Sequence, residues 1–244
     1  MRLYIIRHAQ SFNNARWQKI KSDQGRKPDP ELTDIGWQQV EAVSQFLAGH
    51  HGPASSNGNA AGQTNDQFGF THLYASLMIR SLDTAAAIAQ ALDMKPAIWE
   101  DLHETGGIYH RDEETNEPTG LPGQNRAFFE ANYPDFTLPD SLDGQGWWNN
   151  RPFETFEERV ERGQRFVKTL LERHGGTEDR VAVVGHGGFY NYILAALLNI
   201  PITLPAAAWF VFNNTAITRI DFSDAVIRIA YNNRTDFLSN ELIT

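Results

Sequence analysis

No cysteine occurs among the 244 residues. Disulfides, thiolate metal ligands and a cysteine nucleophile are therefore excluded, and with them zinc-finger, thioredoxin-like and papain-like chemistry. Long apolar runs are also missing. The N-terminal stretch Leu3–Ile6 stops at Arg7, far short of a secretory or membrane-spanning core, so the expectation is a cytoplasmic protein with no membrane partner. No run of Lys or Arg breaks a formal net charge of −9, from 21 basic and 30 acidic side chains, which argues against nucleic acid as a partner. A small anion in a local basic pocket stays open. No period of about 20–50 residues recurs, against a repeat protein, and no Gly-x-Ser-x-Gly elbow is present to supply an esterase nucleophile.

What the chain does have is α/β rhythm. Leu3–Ile6, Leu73–Ala75 and Val181–Val184 are continuous apolar runs, the pattern of strands covered on both faces in a parallel sheet. Helical periodicity lies between them at Asp34–Leu47, with Ile35, Val40, Val43, Phe46 and Leu47 on its inner side, and at Arg80–Leu92, Thr155–Arg173 and Phe189–Asn199. This alternation predicts one domain over 1–244, an α/β three-layer αβα sandwich with a mostly parallel central sheet. Ala207–Phe212, Thr215–Phe222 and Ala225–Tyr231 are short and β-rich, with Ser223–Asp224 as a turn. The stretch 49–70, rich in Gly, Asn, Ser and Gln, is expected to be a flexible surface loop. The stretch 105–153 is Gly- and Pro-punctuated but carries seven aromatics from Tyr109 to Trp148, so it is read as a packed insertion or cap.

The chemistry-bearing residues sit where those strands end. Arg7-His8 follows the first run, Ser76 and Arg80 the second, and Gly185-His186-Gly187-Gly188 the third. Ligands bind outside the carboxyl ends of strands in open parallel sheets, so two histidines among arginines should converge there. Guanidinium groups match phosphoryl oxygens bidentately and keep their charge, and the glycines beside His186 permit close backbone approach. Ser76 could be only a helix N-cap. His103-Glu104 opens like a zinc-protease motif, but no second histidine follows, and no metal-ligand spacing is apparent. His50, His51, His72, His110 and His174 have no evident partners, and surface positions are expected for them.

These residues resemble the histidine phosphatase superfamily, the phosphoglycerate-mutase-like fold, in its phosphatase branch. Arg7-His8-Ala9-Gln10-Ser11 with Asn14 is similar to the family's first motif, with Ala9 in place of the usual Gly. Leu32-Thr33-Asp34-Ile35-Gly36, Ser76-Leu77-Met78-Ile79-Arg80, Leu102-His103-Glu104 and Val184-Gly185-His186-Gly187-Gly188 follow in the family's order, up to Asn214-Thr215. The resemblance implies that His8 is the nucleophile forming a phosphohistidine, and that Arg7, Arg80 and His186 hold the phosphoryl group. It implies Asn14 and Gly187 as further substrate contacts, Glu104 as the proton donor, and no metal or other cofactor. Positive neighbours suit that role for His8, because they disfavour imidazolium and a histidine attacks only when neutral.

The family contains mutases as well as hydrolases. Its cofactor-dependent phosphoglycerate mutases carry a Glu-Arg-x-Tyr-Gly segment after the acid, whereas this chain continues Glu104-Thr105-Gly106-Gly107-Ile108-Tyr109, which favours hydrolysis. From Thr105 to Phe153 there is no lysine, and carboxylates outnumber Arg111, Arg126 and Arg151, a poor setting for a polyanionic substrate. The expected substrate is a small phosphate monoester with a neutral or partly apolar body. The alternatives are a phosphoglycerate mutase and a phosphate-binding protein without catalysis. Ala9 would be strained if its φ were positive. Substrate identity and oligomeric state are not legible in these residues.

Overall fold

Apolar runs without alternation need cover on both faces, and the first and third strands show how it is supplied. In the computed structural model, which describes residues 1–52, 67–202, 210–223 and 226–244, Leu3, Ile5, Val181 and Val183 pack with Phe166, Leu170, Phe189 and Ile193 on one side. Tyr4, Ile6, Ala182 and Val184 pack with Val43, Leu47, Leu82 and Ile88 on the other. Each large apolar side chain buried this way contributes about 1.5–3 kcal/mol relative to exposure. Alternate residues of one strand thus serve two cores.

The elements run β1 (Arg2–Arg7), α1 (Phe12–Ile20), α2 (Asp34–Gly49), β2 (His72–Ala75), α3 (Ile79–Leu92), β3 (Ala97–Ile98), β4 (Tyr109–Arg111), β5 (Pro118–Gly120), α4 (Arg126–Asn132), α5 (Phe156–His174), β6 (Arg180–Gly185), α6 (Gly187–Leu198), β7 (Ile217–Ser223) and β8 (Val226–Arg234). The main sheet has the order β3-β2-β6-β1-β7-β8. Its first four strands are parallel, while β7 and β8 are antiparallel. This is the α/β sandwich with a mostly parallel sheet that the sequence predicts. Because β2, β6 and β1 are neighbours, Ser76, His186 and His8 follow adjacent carboxyl ends: the His8 amide donates to Gly185 O (2.8 Å) and the Ser76 amide to Val184 O (3.1 Å).

Several expectations need correction. Helix α1 escapes notice because none of its residues is buried and no apolar stripe exists; a Ser11–Asn14 capping box starts it. Ile35 is exposed rather than inward. Of Ala207–Phe212, residues 207–209 lie outside the described residues, and Phe210–Phe212 forms no strand. Its backbone bonds go to side chains instead, the Phe210 amide to Asn191 Oδ1 (2.8 Å) and the Phe212 carbonyl to Arg7 Nη1 (2.5 Å). Residue 224 of the expected Ser223–Asp224 turn lies outside the described residues.

Most of the expected loop 49–70 falls on residues 53–66, outside those described. Its edges are not loop-like, since Gly49 ends α2 and Phe68 and Phe70 pack edge-on against Tyr4 at 5.6 and 5.0 Å. Aromatic residues of the stretch 105–153 are packed into the cores. The stretch holds the hairpin β4–β5 and helix α4, sends Phe129 and Phe136 into one core, and closes a small cluster of Met78, Ile108 and Trp148. Gly106 and Gly107 have φ of +89° and +74°, and a Cβ there would meet Phe153 and Trp148 at 2.2 Å, so both the turn and the aromatic packing require glycine. Among the described residues no helix is long and apolar enough to cross a membrane.

Candidate active site

His8 leaves β1 with its ring already oriented. The ring is buried, its Nδ1–H donates to Ala9 O (2.7 Å), and its Nε2 accepts from Arg80 Nε (3.2 Å). The lone pair therefore sits on Nε2, the nitrogen facing the guanidinium. Burial first, then the charges of Arg80 and Arg7, hold its pKa well below the usual histidine value. The imidazole is neutral.

His186, the N-cap residue of α6, is fully buried 5.0 Å from His8, ring centre to ring centre. Its Nε2 lies 2.7 Å from Ser76 Oγ, while its Nδ1 is buried without a hydrogen-bond partner. Burial and Arg80 push this histidine's pKa far down as well. The Ser76 hydroxyl accepts from the Met78 amide (3.2 Å). Donation of its proton to Nε2 leaves the single proton of a neutral His186 on Nδ1. Arg7 Nη1 donates to Phe212 O (2.5 Å), but Nε is buried and unpartnered. Burial lowers the Arg7 pKa to about 10, against the opposing charge of Glu104. Unspent buried donors are costly unless something accepts from them, and two of them belong to Arg7 and His186, the first next to His8 in sequence and the second in ring contact with it.

Glu104 is seated at the N-terminus of α6. Its Oε1 accepts from the Thr105 and Phe189 amides (2.8 and 2.9 Å) and its Oε2 from the Gly188 amide (3.1 Å), the placement a helix N-terminus favours for a carboxylate. A Cβ on Gly188 would lie 2.5 Å from Glu104 Oε1, and one on Gly187 would lie 3.2 Å from Arg7 Nε. The glycines after His186 thus make room for the acid and the arginine. Gly36 acts similarly at the first motif, where a Cβ would lie 2.2 Å from Gln10 O; with Thr33 capping α2, it lets that helix press against the loop after His8.

Asn14 Oδ1 accepts from the Ser11 amide (3.0 Å) and from Asn214 Nδ2 (3.2 Å), and the same Asn214 Nδ2 donates to His8 O (2.8 Å). Asn14 is thereby tied to the His8 backbone, with its own amide nitrogen left to donate. Thr215 holds φ at +58° while its amide donates to Arg7 O (3.0 Å); a β-branched residue there costs on the order of 1–3 kcal/mol, strain placed where the chain closes over the end of β1. Ala9 is not among the described residues of positive φ, so replacing glycine there brings no backbone strain. Ser76 is not the cap of α3, which Met78 occupies without a side-chain bond. Its partner is His186.

Two residues were missed by sequence reasoning. Asp29 accepts from the Ile79 amide (3.2 Å) and lies 3.5 Å from Arg80 Nη1; burial outweighs that arginine and pushes its pKa up to about 6. Arg26 lies 3.9 Å over the Tyr109 ring and donates to Tyr109 O (3.2 Å), tying β4 to the segment before Asp29. No motif flags either. Contrary to the surface expectation, His174 is buried and bonded to Tyr74 and Asp179, and His72 is half-buried. Among the described residues, the acidic positions beside His103-Glu104 gather no metal cluster.

The description of the histidine phosphatase superfamily (branch 1) matches residues 3–64 and 56–235 of the chain. The chain belongs to this superfamily. A phosphoglycerate mutase-like protein of Arabidopsis thaliana is 25% identical over 224 residues, 80% of this chain and 73% of the plant protein. Among solved structures, a mutant phosphoserine phosphatase from Entamoeba histolytica in complex with phosphoserine superposes at TM-score 0.58 with 21% identity, over 98% of this chain and 99% of that one. A putative alpha-ribazole-5'-P phosphatase from Escherichia coli gives 0.60 with 18% identity, over 96% and 97%. A mycobacterial glucosyl-3-phosphoglycerate phosphatase bound to VO3 gives 0.57 with 19% identity, over 96% and 99%. At these identities the likeness to the solved structures is one of fold.

Proposed function

We propose that this member of the superfamily is a phosphomonoesterase, hydrolysing a small phosphate monoester through a phosphohistidine on His8 without a metal or other cofactor. One observation carries the reading: the buried His8 ring is kept neutral by burial and by Arg80 and Arg7, its Nε2 accepts only from Arg80 Nε, and Arg7 Nε and His186 Nδ1 are buried without partners. Three non-bridging phosphoryl oxygens would take up those donors, with Arg80, the Asn14 amide and the backbone at Gly187 as further contacts. Nε2 attacks phosphorus as the ester P–O bond breaks, and Glu104 gives its proton to the departing alkoxide. The resulting carboxylate then takes a proton from water, whose oxygen displaces Nε2 and releases inorganic phosphate. The whole chain, 1–244, acts as one domain in this reading, with 105–153 as the cap that limits substrate size.

The phosphatases among the solved structures of the same fold support hydrolysis, and so does the Gly106-Gly107 turn after Glu104, where the mutase segment would stand. The test is phosphate release from a panel of monoesters, phosphoserine and sugar phosphates included, with EDTA present and a 2,3-bisphosphoglycerate-primed mutase assay alongside. Release that survives EDTA and vanishes in His8→Ala supports the reading. Mutase turnover with little release would replace it with the mutase alternative, and a fully active His8→Ala enzyme would sink the phosphohistidine step.

A further inference from the structure

At the opposite end of the sheet, three side chains from three segments meet. His72 is the first residue of β2, His174 the last of α5, and Asp179 immediately precedes β6. One ligand atom from each lies within 4.8 Å of the other two, and the His72 and His174 rings stand edge to face at 4.5 Å. We propose that this cluster is a binding site for a divalent transition-metal ion of the zinc, cobalt or nickel kind, remote from the phosphate crevice and structural in effect.

The hydrogen bonds around the cluster fit that use. Each histidine has one nitrogen held by a hydroxyl, His72 Nδ1 by Thr71 Oγ1 (2.9 Å) and His174 Nε2 by Tyr74 OH (3.1 Å). Such outer partners orient metal-ligating imidazoles. They leave Nε2 of His72 and Nδ1 of His174 as the donors. His174 Nδ1 stands 2.8 Å from Asp179 Oδ2, sharing one proton with it, and a cation about 2.0–2.2 Å from each atom can replace that proton once the gap widens by a few tenths of an ångström. The displaced proton moves to Nε2, which then donates to the Tyr74 hydroxyl, so no proton need leave. The partners of Thr71 fix the geometry further, since its Oγ1 accepts from the Arg180 amide (3.0 Å) and its amide donates to Arg180 O (2.9 Å).

The donor set selects the ion. Two imidazoles and one carboxylate suit zinc and its neighbours rather than calcium or magnesium, which take oxygen ligands. His174 is 4% exposed and Asp179 26% exposed at the side chain, so the cluster is anchored on its inner side and open to solvent on its outer side. Water would complete the coordination. The ion would join the start of β2 to the short α5–β6 connection beside it, β2 and β6 being neighbouring strands, and so resist fraying at the amino ends of that strand pair.

The test uses untagged full-length protein, titrated with Co(II) and Zn(II) by calorimetry and visible absorption, with thermal melting in metal and in EDTA. One equivalent of saturable binding, cobalt d–d bands of a four- or five-coordinate site and a raised melting temperature are expected. His72→Ala, which removes a half-buried ligand, and Asp179→Asn, which keeps the shape, should each weaken binding at least about tenfold, with phosphate release within about twofold of the parent. No saturable equivalent in the parent, equal affinity in both variants, or metal-dependent phosphate release would each overturn the proposal. Binding and melting are read whether or not the chain releases phosphate, so failure of the metal site is distinct from failure of the phosphatase reading.

Discussion

The two ends of the parallel sheet use histidine in opposite ways. At the carboxyl ends of β1 and β6, His8 and His186 are surrounded by Arg7 and Arg80, and a ring nitrogen of His186 and one guanidinium nitrogen of Arg7 are buried with no partner. At the amino end of β2, His174 faces a carboxylate and has both nitrogens bonded. Both settings are buried, so burial alone does not mark a reactive histidine. The difference lies in the neighbours' charge and in hydrogen-bonding capacity left over: cations keep an imidazole neutral, and unspent donors wait for oxygens supplied from outside.

If that contrast is correct, damage at the carboxyl end removes rate while damage at the amino end does not. The largest rate effect after loss of His8 itself is expected from Glu104→Gln, at about 10²–10⁴-fold in kcat on an alkyl phosphate, the usual contribution of a proton-transferring group. A leaving group that needs no proton, such as p-nitrophenolate, should lose far less. Equal losses on both substrates would show that Glu104 acts by shaping the site through its bonds to Gly188 and Phe189 and not by giving a proton.

The second effect is on stability. Asp29 sits beside Arg80 with its side chain 12% exposed, yet its pKa is raised from 3.8 to about 6. A carboxyl raised in the fold contributes stability that is complete below its unfolded pKa and is lost as pH climbs through the folded value. The native chain should therefore weaken between pH 3.8 and about 6 on account of this group, by up to about 3 kcal/mol at ~1.4 kcal/mol per unit. Asp29→Asn carries no such term. Urea unfolding at about pH 4.5 and about pH 7.5 should show the variant gaining on the parent at the higher pH, and parallel pH profiles would mean that Asp29 carries no stored cost.

What could be read beforehand follows from the physics of each feature. Strands β1 and β6 are legible because double-sided burial leaves no polar residue in Leu3–Ile6 or Val181–Val184. His8, Arg7, Arg80 and His186 are legible because strand polarity gathers them, and the spacing of the glycines marks the third motif. Asp29 is not legible, since its meaning comes from an Ile79 amide and an Arg80 guanidinium fifty residues away. Neither is His174, an ordinary helix-end histidine until β2 supplies Tyr74 and His72. The hairpin β4–β5 and helix α1 are too short or too polar for any periodicity to show.

Ser76 gives the finest test of the contrast, because it belongs to the carboxyl end yet has no place for contact with phosphorus. Its hydroxyl reaches His186 Nε2 at 2.7 Å and accepts from Met78. Ser76→Ala strands a buried nitrogen and frees the tautomer of His186, and a hydrogen bond of this kind is worth about 0.5–1.5 kcal/mol. That corresponds to a loss in kcat/KM of up to about tenfold, since 1.36 kcal/mol is one decade. Ser76→Thr, which retains the hydroxyl, should recover most of it. Nitrogen NMR of the imidazole supplies the readout that packing alone would not move: the parent should hold the proton on Nδ1 and the alanine variant should mix tautomers. A variant with unchanged tautomer and full activity would mean that burial and Arg80 suffice to set His186, and that the hydroxyl serves only the turn into α3.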